Sequence, residues 1–148
     1  MTNGRAFLSE GAFVWSNFPF GPPDHPGRPG PAPHVAYCLG VRRHGGAERA
    51  LLAYTSSGPW RPVGETVPLG VINFDTPSAA QLNQRQFHLD LRCLARVPLT
   101  PPWFPLMASS SRGILAWADG PLKDRIAGVA AELVRRGVRH IVIRGVLD

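Results

Sequence analysis

Proline and glycine set the scale of structure in this chain. They number 16 each among 148 residues, and they fall in clusters. Residues 21–33 hold most of one cluster, with Asp24, His25 and Arg28 inside it. Proline has no amide hydrogen and a fixed φ, so this stretch forms neither a helix nor a central strand. It reads as a surface loop, and loops of this length often carry function. Further breaks fall at Pro19, at Gly45-Gly46, at Pro68 and Gly70, and through residues 98–105. Only short elements fit between them.

Most of those elements read as strands. Residues 12–18 combine small, aromatic and β-branched side chains and end at Pro19. Residues 35–41 place Val35, Tyr37, Leu39 and Val41 on one face. Residues 42–48 form a polar turn around Gly45-Gly46, and residues 49–55 give the next strand, so the two make a hairpin. Residues 63–74 alternate weakly, as one edge strand or two short ones. Residues 76–86 are polar and read as a loop with one helical turn. Residues 87–97 alternate best: Leu89, Leu91, Cys93, Ala95 and Val97 against Asp90, Arg92, Leu94 and Arg96. Residues 113–118 fit a short strand.

One helix is expected, over residues 121–136. Pro121 suits the first helical position, and Asp124 suits the first turn. Ile126, Val129, Ala130, Leu133 and Val134 share a face, and Gly137 fits the cap after Arg135 and Arg136. Residues 138–148 form a last strand or a tail, and residues 1–10 a leader; residues 11–137 make one domain. The fold class is mainly β with α (α+β). A small, partly closed barrel carrying a C-terminal helix fits this order of elements, and a sandwich with a helix fits it equally.

Composition narrows the function classes. An apolar fraction of 44% supports a core. No stretch reaches the roughly 20 apolar residues of a membrane helix, and residues 1–10 lack the apolar segment of a signal peptide, so a cytoplasmic protein is expected. The formal net charge is +6, which favours a polyanionic partner: nucleic acid or an acidic protein. Lys123 is the single lysine, and the other fixed cations are arginines, whose guanidinium groups suit bidentate phosphate contacts. GC-rich coding gives the same arginine bias. Cys38 and Cys93 sit in apolar strands without Cys-x-x-Cys or histidine spacing, so buried free thiols are expected rather than a disulfide or zinc.

Three segments carry the chemistry: Gly11-Ala12-Phe13-Val14-Trp15, then Pro29-Gly30-Pro31-Ala32-Pro33-His34, then Leu51-Leu52-Ala53-Tyr54-Thr55-Ser56-Ser57. The second ends in an imidazole and the third in hydroxyls. A fourth segment, Arg85-Gln86-Phe87-His88-Leu89, follows in order. Together they resemble the PemK/MazF family of toxin ribonucleases over residues 11–136. The resemblance implies an SH3-like small β-barrel, a homodimer and a cytoplasmic, metal-independent endoribonuclease without cofactor. It further implies single-stranded RNA as substrate and a cognate antitoxin protein as possible partner in a toxin–antitoxin system. The family's catalytic arginine position falls on His34, and its threonine on Thr55.

Metal-free RNA cleavage needs a base for the ribose 2′-OH, an acid for the leaving 5′-oxygen, and donors for the phosphate charge. His34 is the candidate acid or base, with Thr55 and Ser56 as donors. Arg28, Arg42, Arg43 and Arg61 are the candidate RNA-binding residues, with Arg28 as the cation replacing the family arginine. The bland alternatives are a backbone-satisfied loop histidine, turn hydroxyls, and a solvated hairpin end. The alternative function is a catalytically silent domain that binds RNA or an antitoxin-like partner. His88, between apolar neighbours on its strand, is expected to face solvent.

Overall fold

The computed structural model describes residues 8–19, 34–44, 46–57, 68–75, 86–100, 103–104, 113–137 and 141–144. Seven strands and one helix follow in the order β1 (Ala12–Ser16), β2 (His34–His44), β3 (Ala47–Ser57), β4 (Val71–Asp75), β5 (Gln86–Pro98), β6 (Ile114–Trp117), α1 (Gly120–Arg135) and β7 (Ile141–Arg144). The strands form one sheet in the order β4-β5-β3-β2-β1-β6, with β7 also paired to β5. All pairings are antiparallel except β5 with β7. The expected α+β class is observed, and β4 is the edge strand that its weak pattern suggested.

The β2–β3 hairpin is longer than the composition of its ends suggests. Pairing runs to His44 opposite Ala47, so residues 42–44 and 47–48 are strand rather than turn. Gly46 has φ +84°, a left-handed conformation that tight hairpin turns need and glycine adopts without steric cost.

Both faces of the sheet are covered. One face buries Phe13, Tyr37, Ala53, Ile72, Leu89, Leu91 and Leu94 against Leu122, Ile126 and Leu133 of α1. The other buries Val14, Ala36, Cys38, Leu52, Ala95 and Val97 under Leu8, Phe18, Trp103 and Phe104. Trp103 and Phe104 are therefore core residues of a segment that folds back over β1: Asn17 donates its amide to Trp103 O at 2.8 Å. Cys38 is a buried free thiol and Cys93 a half-buried one.

The clean alternation of β5 does not mean one inner face. Ala53 pairs with Leu94 but the next residue, Tyr54, pairs with Asp90, so residues 91–93 are extra on β5. An irregularity of this kind bends the strand and changes which face its side chains meet. Leu89 and Leu91 accordingly join the core under α1, while Cys93, Ala95 and Val97 join the other.

The helix starts one residue before Pro121. Asp119 is the N-cap, its Oδ1 accepting the Leu122 amide at 2.8 Å. Asp124 consequently falls beyond the first turn, which holds no acid. Val134, expected on the apolar face, is instead 70% exposed. No helix among the described residues is long and apolar enough to cross a membrane. Arg28, Arg61 and the segments 20–33 and 76–85 lie outside the described residues.

Candidate functional site

His34 opens β2, Tyr54 and Ser56 close β3, and His88 lies near the start of β5. Directly paired residues of neighbouring strands share a face. Ser56 pairs with His88, and His88 with Asn73 on β4. Ala36 pairs with Tyr54, and continuing that register sets His34 beside Ser56. A polar row thus crosses β2, β3, β5 and β4, on the face that carries Ala36 and Cys38. His34 and His88 stand on either side of β3, about 10 Å apart at two strand spacings.

Ring contacts fix this row. The imidazole of His34 stacks on Tyr54 with centroids 5.5 Å apart and planes 4° from parallel. His88 meets the same tyrosine edge-on at 6.5 Å, and Phe18 does so at 6.0 Å. His34 Nε2 lies 2.5 Å from Thr55 O. A carbonyl oxygen only accepts, so Nε2 carries the hydrogen and Nδ1 holds the lone pair of the neutral ring. On the β1 side the row is closed by Ser16, which pairs with His34 and donates its hydroxyl to Trp103 O at 3.1 Å.

Thr55 sits next to His34, but its side chain points through the sheet. It is completely buried, and its Oγ1 donates to Val35 O at 2.7 Å. That hydroxyl ties the end of β3 to the start of β2. Ser56, half-buried on the outer row, is the hydroxyl that shares a face with the imidazoles.

The arginines expected at the site separate from it. Arg42 and Arg43 lie at the hairpin end of β2, about 26 Å from His34 at ~3.3 Å per residue. Arg43 pairs with Glu48, Nη2 to Oε1 at 3.6 Å. Two other guanidinium groups lie toward the β4–β5 edge of the sheet. Arg92 holds Asp90 in a two-bond contact, 2.9 and 3.0 Å, two residues beyond His88; these hydrogen bonds raise its pKa from an already basic value. Arg125 reaches from α1 to Asn73 O at 3.2 Å, beside the cross-strand partner of His88.

His88, Tyr54 and Phe18 are the site residues that sequence reasoning missed. Alternation does place His88 opposite Leu89 on β5. What it lacks is the neighbour: only the pairing of β5 with β3 turns a half-exposed histidine into one lying against Tyr54. Among the described residues, no group of three or more His, Cys, Asp or Glu is arranged to hold a metal ion. No family model, curated protein or solved structure matches the chain.

Proposed function

We propose that the protein is a divergent PemK/MazF-like endoribonuclease, built on an SH3-like barrel, that cleaves single-stranded RNA without a metal. The observation that supports this most is the placement of His34 and His88 on one face, flanking Ser56 and held by the same tyrosine. Internal transphosphorylation needs two proton-transfer groups on opposite sides of one phosphate. In this reading His34, with its lone pair at Nδ1, removes the 2′-OH proton. The 2′-oxygen attacks phosphorus and the P–O5′ bond breaks. Protonated His88 gives its proton to the 5′-oxygen, leaving a 2′,3′-cyclic phosphate and a 5′-hydroxyl.

Ser56 donates to the phosphate oxygens from between the two rings. Tyr54 is a positioning residue: it sets both imidazoles without touching the scissile bond. Thr55 acts on the strand end, through Val35. The toxin role, the cytoplasmic setting, the homodimer and the antitoxin partner belong to the same reading.

A second reading has its own support. With the Thr55 hydroxyl committed to Val35 O and a histidine where the family has arginine, the domain fits a silent binder of RNA or of an antitoxin-like protein. Incubation of the full chain with mixed-sequence single-stranded RNA in chelator separates the two. Cleavage with cyclic phosphate ends, slowed by roughly 10²–10⁴-fold in His34→Ala and in His88→Ala, is the expected result. Intact RNA at enzyme excess would establish the silent reading.

A further inference from the structure

Among the described residues, β4 pairs with β5 alone and ends the sheet. Its ladder shows which backbone groups face outward. The Leu91 amide donates to Gly70 O at 2.8 Å, so Gly70 and Leu91 form a hydrogen-bonded pair. Antiparallel ladders alternate such pairs with pairs whose N–H and C=O groups point away. Val71 opposite Asp90 and Asn73 opposite His88 are pairs of the second kind, and they turn their β4 backbone groups to the edge. Two contacts agree with this. The Val71 amide donates to Pro68 O at 3.1 Å, and Arg125 Nη1 of α1 donates to Asn73 O at 3.2 Å.

The sequence at this edge is of a kind that pairs with itself. Leu69-Gly70-Val71-Ile72-Asn73-Phe74 is a stretch of six residues without a charge or a proline. Uncharged six-residue segments rich in strand formers add to identical segments of other chains, and a sheet edge is where they do so. Pro68 and Asp75 bracket the stretch, at the flanks where prolines and charges interrupt such pairing. Its middle is reached from α1. Arg125 lies at Asn73, and a Cβ on Gly70 would fall 3.2 Å from a Leu133 methyl, so the helix runs antiparallel along the strand. From Arg125 to Leu133 the helix rises about 12 Å, and from Gly70 to Asn73 the strand rises about 10 Å, so the two elements keep pace. That alignment carries an exposed guanidinium to the centre of the edge. Among the described residues no carboxylate pairs with Arg125; a neutral backbone carbonyl engages it instead.

We propose that Arg125 guards the β4 edge, and that a second copy of this chain adds there, strand to strand, once the guard is removed. In an antiparallel pair of β4 strands the two-fold axis stands perpendicular to the sheet. Both α1 helices then lie on one face, with both Arg125 side chains at one seam. Each guanidinium blocks the Asn73 carbonyl that an incoming strand needs, and the two cations repel. A basic side chain is a common protection of a sheet edge; here the helix supplies it rather than the strand. The edge is therefore closed only while α1 is docked. The guard is independent of the histidine row and of RNA cleavage.

The test is sedimentation velocity of the full chain over a concentration series, for the parent, R125A, R125K and R136A. Arg125 is exposed and holds a backbone carbonyl, so its replacement leaves the core intact. Sizes are read against the parent, which makes assembly through other surfaces common to all four. R125A is expected to form larger species as concentration rises, with self-association at least about 10-fold stronger than the parent's, the range over which an uncovered edge becomes a template. R125K keeps a cation over the edge and should sediment like the parent. R136A removes the same charge from the end of α1, at an arginine that pairs with Glu132, and should also match the parent. A fluorescein-labelled peptide of residues 68–75 identifies the contact. By anisotropy, R125A should bind it at least about 10-fold more tightly than the parent does, because strand addition needs the freed carbonyl. R125A that sediments like the parent, equal growth in R125K or R136A, or larger R125A species that leave the peptide unbound would each overturn the proposal.

Discussion

At the scale of residues, neighbouring positions on β3 do opposite jobs because a strand alternates its faces. Thr55 turns inward and its hydroxyl satisfies Val35 O; Ser56 turns outward between two imidazoles. The substitution Thr55→Val keeps shape and removes the buried donor to Val35 O. It should lower unfolding stability by about 1–3 kcal/mol, measured by denaturant titration. Thr55→Ser should restore most of it. Ser56→Ala should leave stability near the parent's and lower the cleavage rate. His34→Ala and His88→Ala should each cut that rate by roughly 10²–10⁴-fold, read as product formed per unit time with fold checked by circular dichroism. Cys38 offers a pH test. Burial pushes its thiol up to about 12, so the native state keeps it protonated where an unfolded chain would ionise it. The folded pKa is the raised one, so stability is unaffected below the ordinary thiol range and declines as pH climbs from there toward 12. Cys38→Ala should flatten that alkaline decline in a pH series of unfolding midpoints.

At the scale of elements, the strands and the helix were legible where pattern and chain breaks agree. Gly46 marks a true turn and Pro121 the first turn of the helix, while the first strand ends at Ser16, before Pro19. Three things were not legible, each for a physical reason. The Asp119 cap depends on one side-chain hydrogen bond that no periodicity records. Val134 lies on the helical stripe, yet in the last turn of α1 it is left exposed, which spacing within the helix alone does not record. The two-faced burial of β5 arises from its jump in pairing with β3, which is a property of two strands together. The same holds for the site: His34 and Ser56 were visible as chemistry, while His88 needed the β3–β5 register. Two substitutions test these joints by chemical unfolding. Asp119→Ala removes the cap and should cost about 1 kcal/mol. Gly70 has φ +104°, and a Cβ there would lie 2.9 Å from the Arg92 Cγ and 3.2 Å from a Leu133 methyl. Gly70→Ala should therefore cost more than the cap, about 1–3 kcal/mol for the backbone alone.

At the scale of the whole molecule, one sheet with a core on each side presents two different polar surfaces at opposite ends. The end built by His34, Tyr54, Ser56 and His88 carries proton-transfer groups. The hairpin end of β2 carries the exposed guanidinium groups of Arg42 and Arg43. The central claim is that the paired imidazoles cut RNA, and the most direct measurement is the end chemistry of metal-free products. Full-length protein in chelator should convert single-stranded RNA to fragments with 2′,3′-cyclic phosphate and 5′-hydroxyl ends, and His34→Ala and His88→Ala should each slow it by roughly 10²–10⁴-fold. Cleavage that persists unchanged in the His34→Ala/His88→Ala double variant, or no cleavage by the parent at any pH, would contradict the account.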